Sequence, residues 1–355
     1  MVDSKASKSL NALKLFFCIL IIYLHMHHQM PTMDSMPDAG SFFYNGLRVV
    51  REIVSNLLTK VAVPGFAFIS GYLFFATTEF NLSVYKNKLH KRFFSLVIPY
   101  ITWVLVVFVG DVVLACLGKS NLVSTTEWNF INVLNIFWGI KSNLAGFCPY
   151  NGPMWYIRDL ILIAIISPAI WLCLKKKVLR FIFLLLLFVL WLHPVFFPPH
   201  ETIMLFFFSL GGFFPILKVD LFSLFERLSK NWLWIILWGM VSLLAIVSAF
   251  IEIGLPRGYI VKAFIILLFP FPFYFARFCT SERILKLSKC TFVVYCMHNI
   301  VLATFGKITN GMVSSINLVF YFLLPIVTFL LGYCVYLFLI KFNNRTLNLL
   351  FLGKR

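Results

Sequence analysis

Lys14 and His25 are the residues of this chain whose types and spacing best suit chemistry, because both lie inside its first hydrophobic segment, LNALKLFFCILIIYLHMHH. An ionisable residue in a transmembrane helix costs about 2.5 to 3.5 kcal/mol on insertion scales, so it usually faces a polar interior and marks a functional path. Their separation of eleven residues is three helical turns plus about 20°, which places both on one face. The rise of about 16.5 Å predicts that Lys14 lies near one membrane surface and His25 well inside the bilayer.

The composition is that of a membrane protein. Hydrophobic residues make up 61% of the 355 residues and charged residues 12%, against about 25% charged in soluble domains. Several apolar runs reach the roughly 20 residues that span a bilayer. The sequence therefore predicts an all-α integral membrane protein in which residues 1–355 form a single membrane-embedded domain. Its predicted partners include the lipid bilayer that surrounds it.

The placement of the cations predicts the topology. Most of the 31 Lys and Arg residues fall on one side if the number of spans is even and both termini are cytoplasmic, as the positive-inside rule requires. A reporter fused after Lys177 or Lys289 should then be cytoplasmic, and one near Asn121 external. The net charge of +18 thus reflects topology, and no nucleic-acid partner is predicted. The ten predicted spans cover residues 12–30, 57–77, 93–117, 155–174, 178–193, 202–217, 231–251, 257–277, 290–306 and 317–340.

Five segments in a fixed order resemble the acyltransferase family 3 membrane O-acyltransferases, from about residue 9 to about residue 340. The family has an Arg, ten residues and a His in its first helix, and here Lys14 and His25 stand at that spacing. In its third element the family often has two arginines three apart, whereas here Arg92 is followed at that spacing by Ser95. The other matching segments are VPGFAFISGYLFF, KRFFSLVIPY, GPMWYIRDLIL and CTFVVYCMHNIVL.

The resemblance implies that His25 is the general base. O-acyl transfer needs a base to take a proton from a sugar hydroxyl as it attacks a thioester carbonyl, and a neutral imidazole suits this task near pH 7. The alternative is a structural histidine that bonds to a backbone carbonyl of a neighbouring helix. His28 lies nearly on the same helix face and is a secondary candidate.

Three cations, Lys14, Lys91 and Arg92, are candidates for holding the nucleotide end of coenzyme A. An ammonium binds phosphate as a compact point charge, and the pantetheine arm is comparable in length with the rise from Lys14 to His25. A donor entering from the cytoplasm would then present its thioester near His25. Alternatively, Lys14 only extends to the membrane surface and contacts anionic lipid.

The SGYL segment places Ser70, Gly71 and Tyr72 in the inner half of the second span. Glycine there permits close approach of a helix or a ligand. Ser70 is also a possible nucleophile, but no acidic partner of a triad accompanies it and the sequence has no G-x-S-x-G. Tight packing is the favoured interpretation.

Two later segments carry candidate substrate-binding or supporting residues. Trp155, Arg158 and Asp159 open the fourth span, where they either bind an acceptor sugar by stacking and hydrogen bonds or, for Trp155, belong to an aromatic belt. Tyr295 and His298 lie one turn apart and either support the catalytic centre or join helices by hydrogen bonds. The eight cysteines form no CxxC pair, so neither a disulfide framework nor a metal site is predicted.

These expectations give one predicted function and one rival. The prediction is a multi-pass O-acyltransferase of a bacterial cell (inner, cytoplasmic) membrane that moves an acyl group, acetyl or alternatively succinyl, from acyl-CoA to a cell-surface or lipid-linked carbohydrate. It would hold no permanent cofactor, with acetyl-CoA as donor substrate, and its oligomeric state is unknown. The rival is a glycan-precursor transporter or flippase in which the same polar residues line a pathway.

Overall fold

The computed structural model describes residues 4–77, 79–118, 129–139, 149–193, 199–251, 254 and 256–354. The proposed reporter position near Asn121 lies outside them. The described residues form helices and no strand, which confirms the all-α class. The α-helices are α1 (Ser4–Gln29), α2 (Phe42–Val54), α3 (Ala62–Phe75), α4 (Leu82–Arg92), α5 (Ile98–Cys116), α6 (Phe130–Trp138), α7 (Trp155–Lys175), α8 (Lys177–Leu192), α9 (Pro199–Ile216), α10 (Leu221–Lys230), α11 (Trp232–Val247), α12 (Arg257–Leu268), α13 (Pro270–Ala276), α14 (Glu282–Leu287), α15 (Thr291–Ile308), α16 (Ser314–Lys341) and α17 (Arg345–Leu352).

Seven segments among the described residues are long and apolar enough to cross a membrane, or eight if α9 and α10, which meet at a bend of 112°, form one span. This confirms a multi-pass membrane protein. Helices α8 and α11 have 16 residues each, or about 24 Å, somewhat less than the roughly 30 Å of a hydrocarbon core. The count of ten spans and the cytoplasmic termini therefore stay predictions.

The ends of α1 define two faces of the bundle: the N-face, where α1 begins, and the C-face, where it ends. Helix α15 runs in the same direction as α1, since Cys18 lies beside Thr291 and His25 beside His298. Helices α3 and α7 begin near the C-face, because residues from both of their first turns share a cavity with His25. Helices α3, α7 and α15 thus contribute walls to the cavity at the C-face end of α1.

Helices α3 and α9 approach so closely that only glycine fits at their crossing. A Cβ on Gly71 would lie 1.9 Å from the carbonyl oxygen of Phe208, and one on Gly211 would lie 2.0 Å from that of Phe68. Around this crossing the phenylalanines pack edge to face, as their quadrupoles favour; Phe68, for example, has its ring centroid 5.3 Å from that of Phe273. Gly71 is therefore a packing residue.

A π-helical turn at Phe93–Val97 joins α4 to α5 immediately after Arg92. Such turns add a residue to a helix and often occur at functional sites. Ser95, which stands where the family often has a second arginine, lies within it, and its carbonyl oxygen would be 2.6 Å from a Cβ on Gly353. This position is packed against the segment that follows α17.

Candidate active site

His25 lies at the centre of the candidate site, paired with a second imidazole. The ring centroids of His25 and His298 are 4.8 Å apart. His298 is fully buried, and its Nδ1 lies 2.6 Å from the carbonyl oxygen of Tyr295. Since a carbonyl only accepts, Nδ1 carries the proton and Nε2 is left as an acceptor, with no hydrogen-bond partner among the described residues.

His25 itself makes no hydrogen bond within the described part of the chain; its recorded neighbours are the imidazoles of His298 and His28. A structural histidine would donate to a backbone carbonyl of a neighbouring helix. Both ring nitrogens of His25 thus lack a hydrogen-bond partner among the described residues, and the His298 ring packs against the imidazole.

The His25 cavity, of about 510 Å³, lies at the C-face end of α1. Its size suits a small part of a substrate, since ligand pockets typically measure about 300 to 1,000 Å³. Of the candidate residues, Trp155, Tyr295 and His28 line it. Among the described residues its walls are formed by Ile21, Leu24, His25, His28, Gln29, Lys60, Val63, Phe66, Gly152, Pro153, Trp155, Tyr156, Tyr295 and Asn299.

Tyr295 fixes the entrance to α7. Its hydroxyl donates a hydrogen bond to the carbonyl oxygen of Pro153, in the turn that leads into Trp155. The amide of Gln29 likewise donates to Asn299 at 2.9 Å and ties α1 to α15. Two hydrogen bonds thus join wall residues of the cavity to one another.

A second polar group, nearer the N-face, contains two of the three predicted donor-binding cations, Lys14 and Arg92. Lys14 and Arg92 lie within range of each other's charge, although Lys14 also donates to Asn11 at 3.3 Å. Lys88 joins them: its Nζ and the Arg92 guanidinium carbon lie 5.1 and 5.7 Å from the ring centroid of Phe74. Lys91 is exposed on the surface of α4. We call Lys14, Lys88 and Arg92 the N-face cations.

Tyr156 connects the N-face cations with the His25 cavity. The tyrosine lines the cavity, its hydroxyl lies 3.1 Å from the Ser70 hydroxyl, and the charge of Arg92 acts on it. Tyr156 is thus the member of this group that lines the cavity, and Ser70 is its hydrogen-bond partner.

Arg158 and Asp159 belong to a different environment from Trp155. They form a buried ion pair with nitrogen and oxygen 2.8 Å apart, and Arg158 also reaches Glu201 at 3.2 Å and the carbonyl oxygen of Trp138 at 2.8 Å. Neither lines the His25 cavity. This Arg158 cluster, made of Arg158, Asp159 and Glu201, joins α7 to α6 and α9.

Tyr72 is directed away from the His25 cavity. It lines a separate pocket of about 880 Å³ at the N-face, together with Trp171 and Lys175 among others. The three consecutive residues of the SGYL segment therefore have three different environments: Ser70 bonds to Tyr156, Gly71 packs against α9, and Tyr72 lines this pocket.

Sequence reasoning did not single out three residues that the structure brings into the site: Lys60, Lys88 and Tyr156. Tyr156 directly follows Trp155, a candidate residue, so its position in the sequence was enough to suggest it. Lys88 stands one helical turn before Arg92, a spacing that places both on one face. Lys60 precedes an apolar run and looks like an ordinary interfacial anchor, so the sequence held no signal for it.

Comparisons with known proteins give a family match and a relative of low identity. The acyltransferase domain family model (Acyl_transf_3) matches residues 7–340. The chain is 24% identical over 167 residues to the succinoglycan biosynthesis protein ExoH of Rhizobium meliloti (strain 1021), which covers 47% of this chain and 43% of that relative. The chain thus spans less than half of that relative's length. No solved structure matches the chain. Because the family model covers nearly all of the sequence, this chain belongs to the acyltransferase domain family.

Proposed function

We propose that this protein is a membrane O-acyltransferase that moves an acyl group from acyl-CoA, bound from the N-face, to a carbohydrate hydroxyl bound in the His25 cavity. The observation that carries this proposal is the placement of His25. It makes no hydrogen bond to the described residues and lines a cavity at the C-face, and the charge of Arg92, one of the N-face cations, acts on Tyr156 in the wall of that cavity.

The proposed chemistry assigns the proton transfers to His25. An unprotonated nitrogen of His25 removes the proton of the acceptor hydroxyl as its oxygen attacks the thioester carbonyl. The carbonyl carbon–sulfur bond then breaks, the ester forms, and His25 returns the proton to the departing thiolate. His298 is a positioning residue: packed 4.8 Å from His25, it limits the orientations that the imidazole adopts.

The donor would approach along the N-face cations. Phosphate groups of coenzyme A require cationic partners, and Lys14, Lys88 and Arg92 supply them close to the N-face. The rise from Lys14 to His25 is about 16.5 Å, and an extended pantetheine arm bridges a distance of that order. In the predicted topology the N-face is cytoplasmic, where acyl-CoA is available, and the membrane is the bacterial inner membrane.

Two observations support the proposed acceptor: the residues that line the cavity and the name of the relative. Trp155 offers an indole face for a sugar ring, and Gln29 and Asn299 offer amides for hydroxyls. The name of the relative refers to the biosynthesis of succinoglycan, which supports a carbohydrate acceptor here. Acetyl is the proposed acyl group because acetyl-CoA is the smallest common donor and the cavity is modest in size.

Release of free coenzyme A tests the proposal against the rival transporter. Protein purified in detergent is incubated with acetyl-CoA and the unacylated surface polysaccharide of cells that lack this chain. Acyl transfer predicts that free thiol and acylated polysaccharide appear in equal amounts. A transporter releases no thiol beyond the rate without acceptor.

A further inference from the structure

Lys60 is a cation inside the His25 cavity that the proposed reaction does not yet use. It lies in the single helical turn Leu58–Val61 that precedes α3. The turn is anchored because the buried Thr59 hydroxyl donates to the carbonyl oxygen of Ser55 at 2.5 Å. Among the described residues that line the cavity, Lys60 is the one Lys or Arg. Its charge acts on His25 and His28.

The carboxylate whose charge acts on Lys60, that of Glu52, is already engaged. Glu52 accepts from Arg257 at 2.6 Å through one oxygen and from Asn56 at 2.8 Å through the other. Within the described ranges Lys60 forms no hydrogen bond and no ion pair. An ammonium without a partner in a membrane-embedded cavity is costly, and such residues mark sites where a ligand supplies the partner.

The remaining cavity walls show what kind of partner fits. Gln29 and Asn299 contribute neutral amides, and Trp155 offers an apolar face. A single ammonium among neutral groups matches a monoanion such as a carboxylate better than a phosphate dianion, which usually needs several cationic donors.

We propose that Lys60 binds a carboxylate of a substrate in the His25 cavity and thereby selects for acidic substrates. The inference rests on the proposed acyl transfer and specifies its substrates. The carboxylate has two possible sources: an acidic sugar of the acceptor, or the distal carboxylate of a succinyl group on the donor. In either case Lys60 holds the anion beside the hydroxyl that His25 deprotonates.

The test compares Lys60→Met and Lys60→Arg with Lys307→Met, a matched control. Lys307 is an exposed lysine near the C-face end of α15 and does not line the cavity. Donors are acetyl-CoA and succinyl-CoA. Acceptors are the unacylated surface polysaccharide and the same polysaccharide after chemical reduction of its carboxylates to alcohols. Coenzyme A release gives KM and kcat for each pair.

If the acceptor supplies the carboxylate, Lys60→Met raises the KM for the native polysaccharide about ten- to a hundredfold and leaves that for the reduced polysaccharide unchanged. If the donor supplies it, Lys60→Met removes a preference for succinyl-CoA over acetyl-CoA. In both cases Lys60→Arg keeps KM and donor preference close to the wild-type values, and kcat changes little in either variant. An equal loss of kcat for every pair, or kinetics like those of Lys307→Met, overturns the inference.

Binding separates this inference from the proposed function. The melting temperature of the detergent-purified protein is measured with glucuronate, succinate and glucose. If an acid raises the melting temperature of the wild type but not that of Lys60→Met, the anion site is supported. This holds even if the wild type releases no coenzyme A, because the lack of release refutes only the acyl transfer. If the wild type and Lys60→Met respond alike to both acids, and transfer shows no Lys60 dependence, the anion site is refuted.

Discussion

The His25 cavity and the Arg158 cluster begin three residues apart on α7, and both contain charged or ionisable side chains. In the Arg158 cluster the guanidinium has bonds to Asp159, Glu201 and the backbone of Trp138. In the His25 cavity the imidazole and the Lys60 ammonium have no such partners among the described residues.

The difference distinguishes polar residues that hold helices together from polar residues that are available to a ligand. A buried charge with several partners holds helices together, and removing one partner leaves another charge exposed to a poorly solvating interior. A polar group without partners beside an open cavity is held ready for a ligand. Residue type alone does not distinguish these cases, because only the fold determines which side chains meet.

The largest expected effect is on chemistry, from His25→Ala. Removing a general base lowers kcat by about 10² to 10⁴-fold, while expression, membrane insertion and the KM for acyl-CoA stay close to wild type. Steady-state coenzyme A release checks the rate, and size-exclusion chromatography in detergent checks the fold. Substantial turnover by a folded His25→Ala protein would place the base elsewhere.

Arg158→Met should show the opposite pattern, loss of stability without a specific loss of chemistry. It leaves the carboxylates of Asp159 and Glu201 without their cation, which costs about 3 to 5 kcal/mol for a buried pair. Thermal unfolding in detergent should show a clearly lower melting temperature, and Arg158→Lys should restore part of it. If Arg158→Met is as stable as wild type but inactive, the Arg158 cluster is part of the site and the comparison fails.

Lys14→Met should raise the KM for acyl-CoA roughly ten- to a hundredfold, because a charge-assisted hydrogen bond worth about 1.5 to 3 kcal/mol is lost. Lys14→Arg should keep much of the activity, since the charge remains. The KM for the acceptor, which binds at the opposite face, should barely change. Unchanged acyl-CoA kinetics together with a lower protein yield would make Lys14 an anchor at the membrane surface.

Ser70→Ala should have the smallest effect. It removes one hydrogen bond to Tyr156, worth about 0.5 to 1.5 kcal/mol, so kcat/KM should fall no more than about tenfold. Tyr156→Phe removes the same bond, and the double variant should be little worse than either single one. Complete loss of activity in Ser70→Ala, with Tyr156→Phe still active, would instead favour Ser70 as a nucleophile.

The sequence predicted the helical membrane class and the shared face of Lys14 and His25, because hydropathy and helical period depend only on local order. It also selected Trp155 and Tyr295, which line the cavity. It did not separate Trp155 from Arg158. That separation depends on Trp138 and Glu201, which arrive from other helices and give Arg158 its partners.

Lys60 shows the same limit. Its position in the chain is typical of a cation at a membrane surface, and only tertiary packing places it in the wall of the His25 cavity. The π-helical turn after Arg92 adds a residue to the helix, so a regular helical period carried through this segment misplaces the side chains beyond it.

We propose that donor and acceptor meet at His25 from opposite faces, and transfer in sealed proteoliposomes measures this. Membrane-impermeant acetyl-CoA with a radiolabelled acetyl group is added outside, and unacylated polysaccharide is enclosed inside. The label on the polysaccharide is counted for vesicles sorted by protein orientation. We predict label on the enclosed polysaccharide when the N-face is outside, and none with His25→Ala. Label that appears only when donor and acceptor are on the same side of the membrane would show that they do not meet from opposite faces.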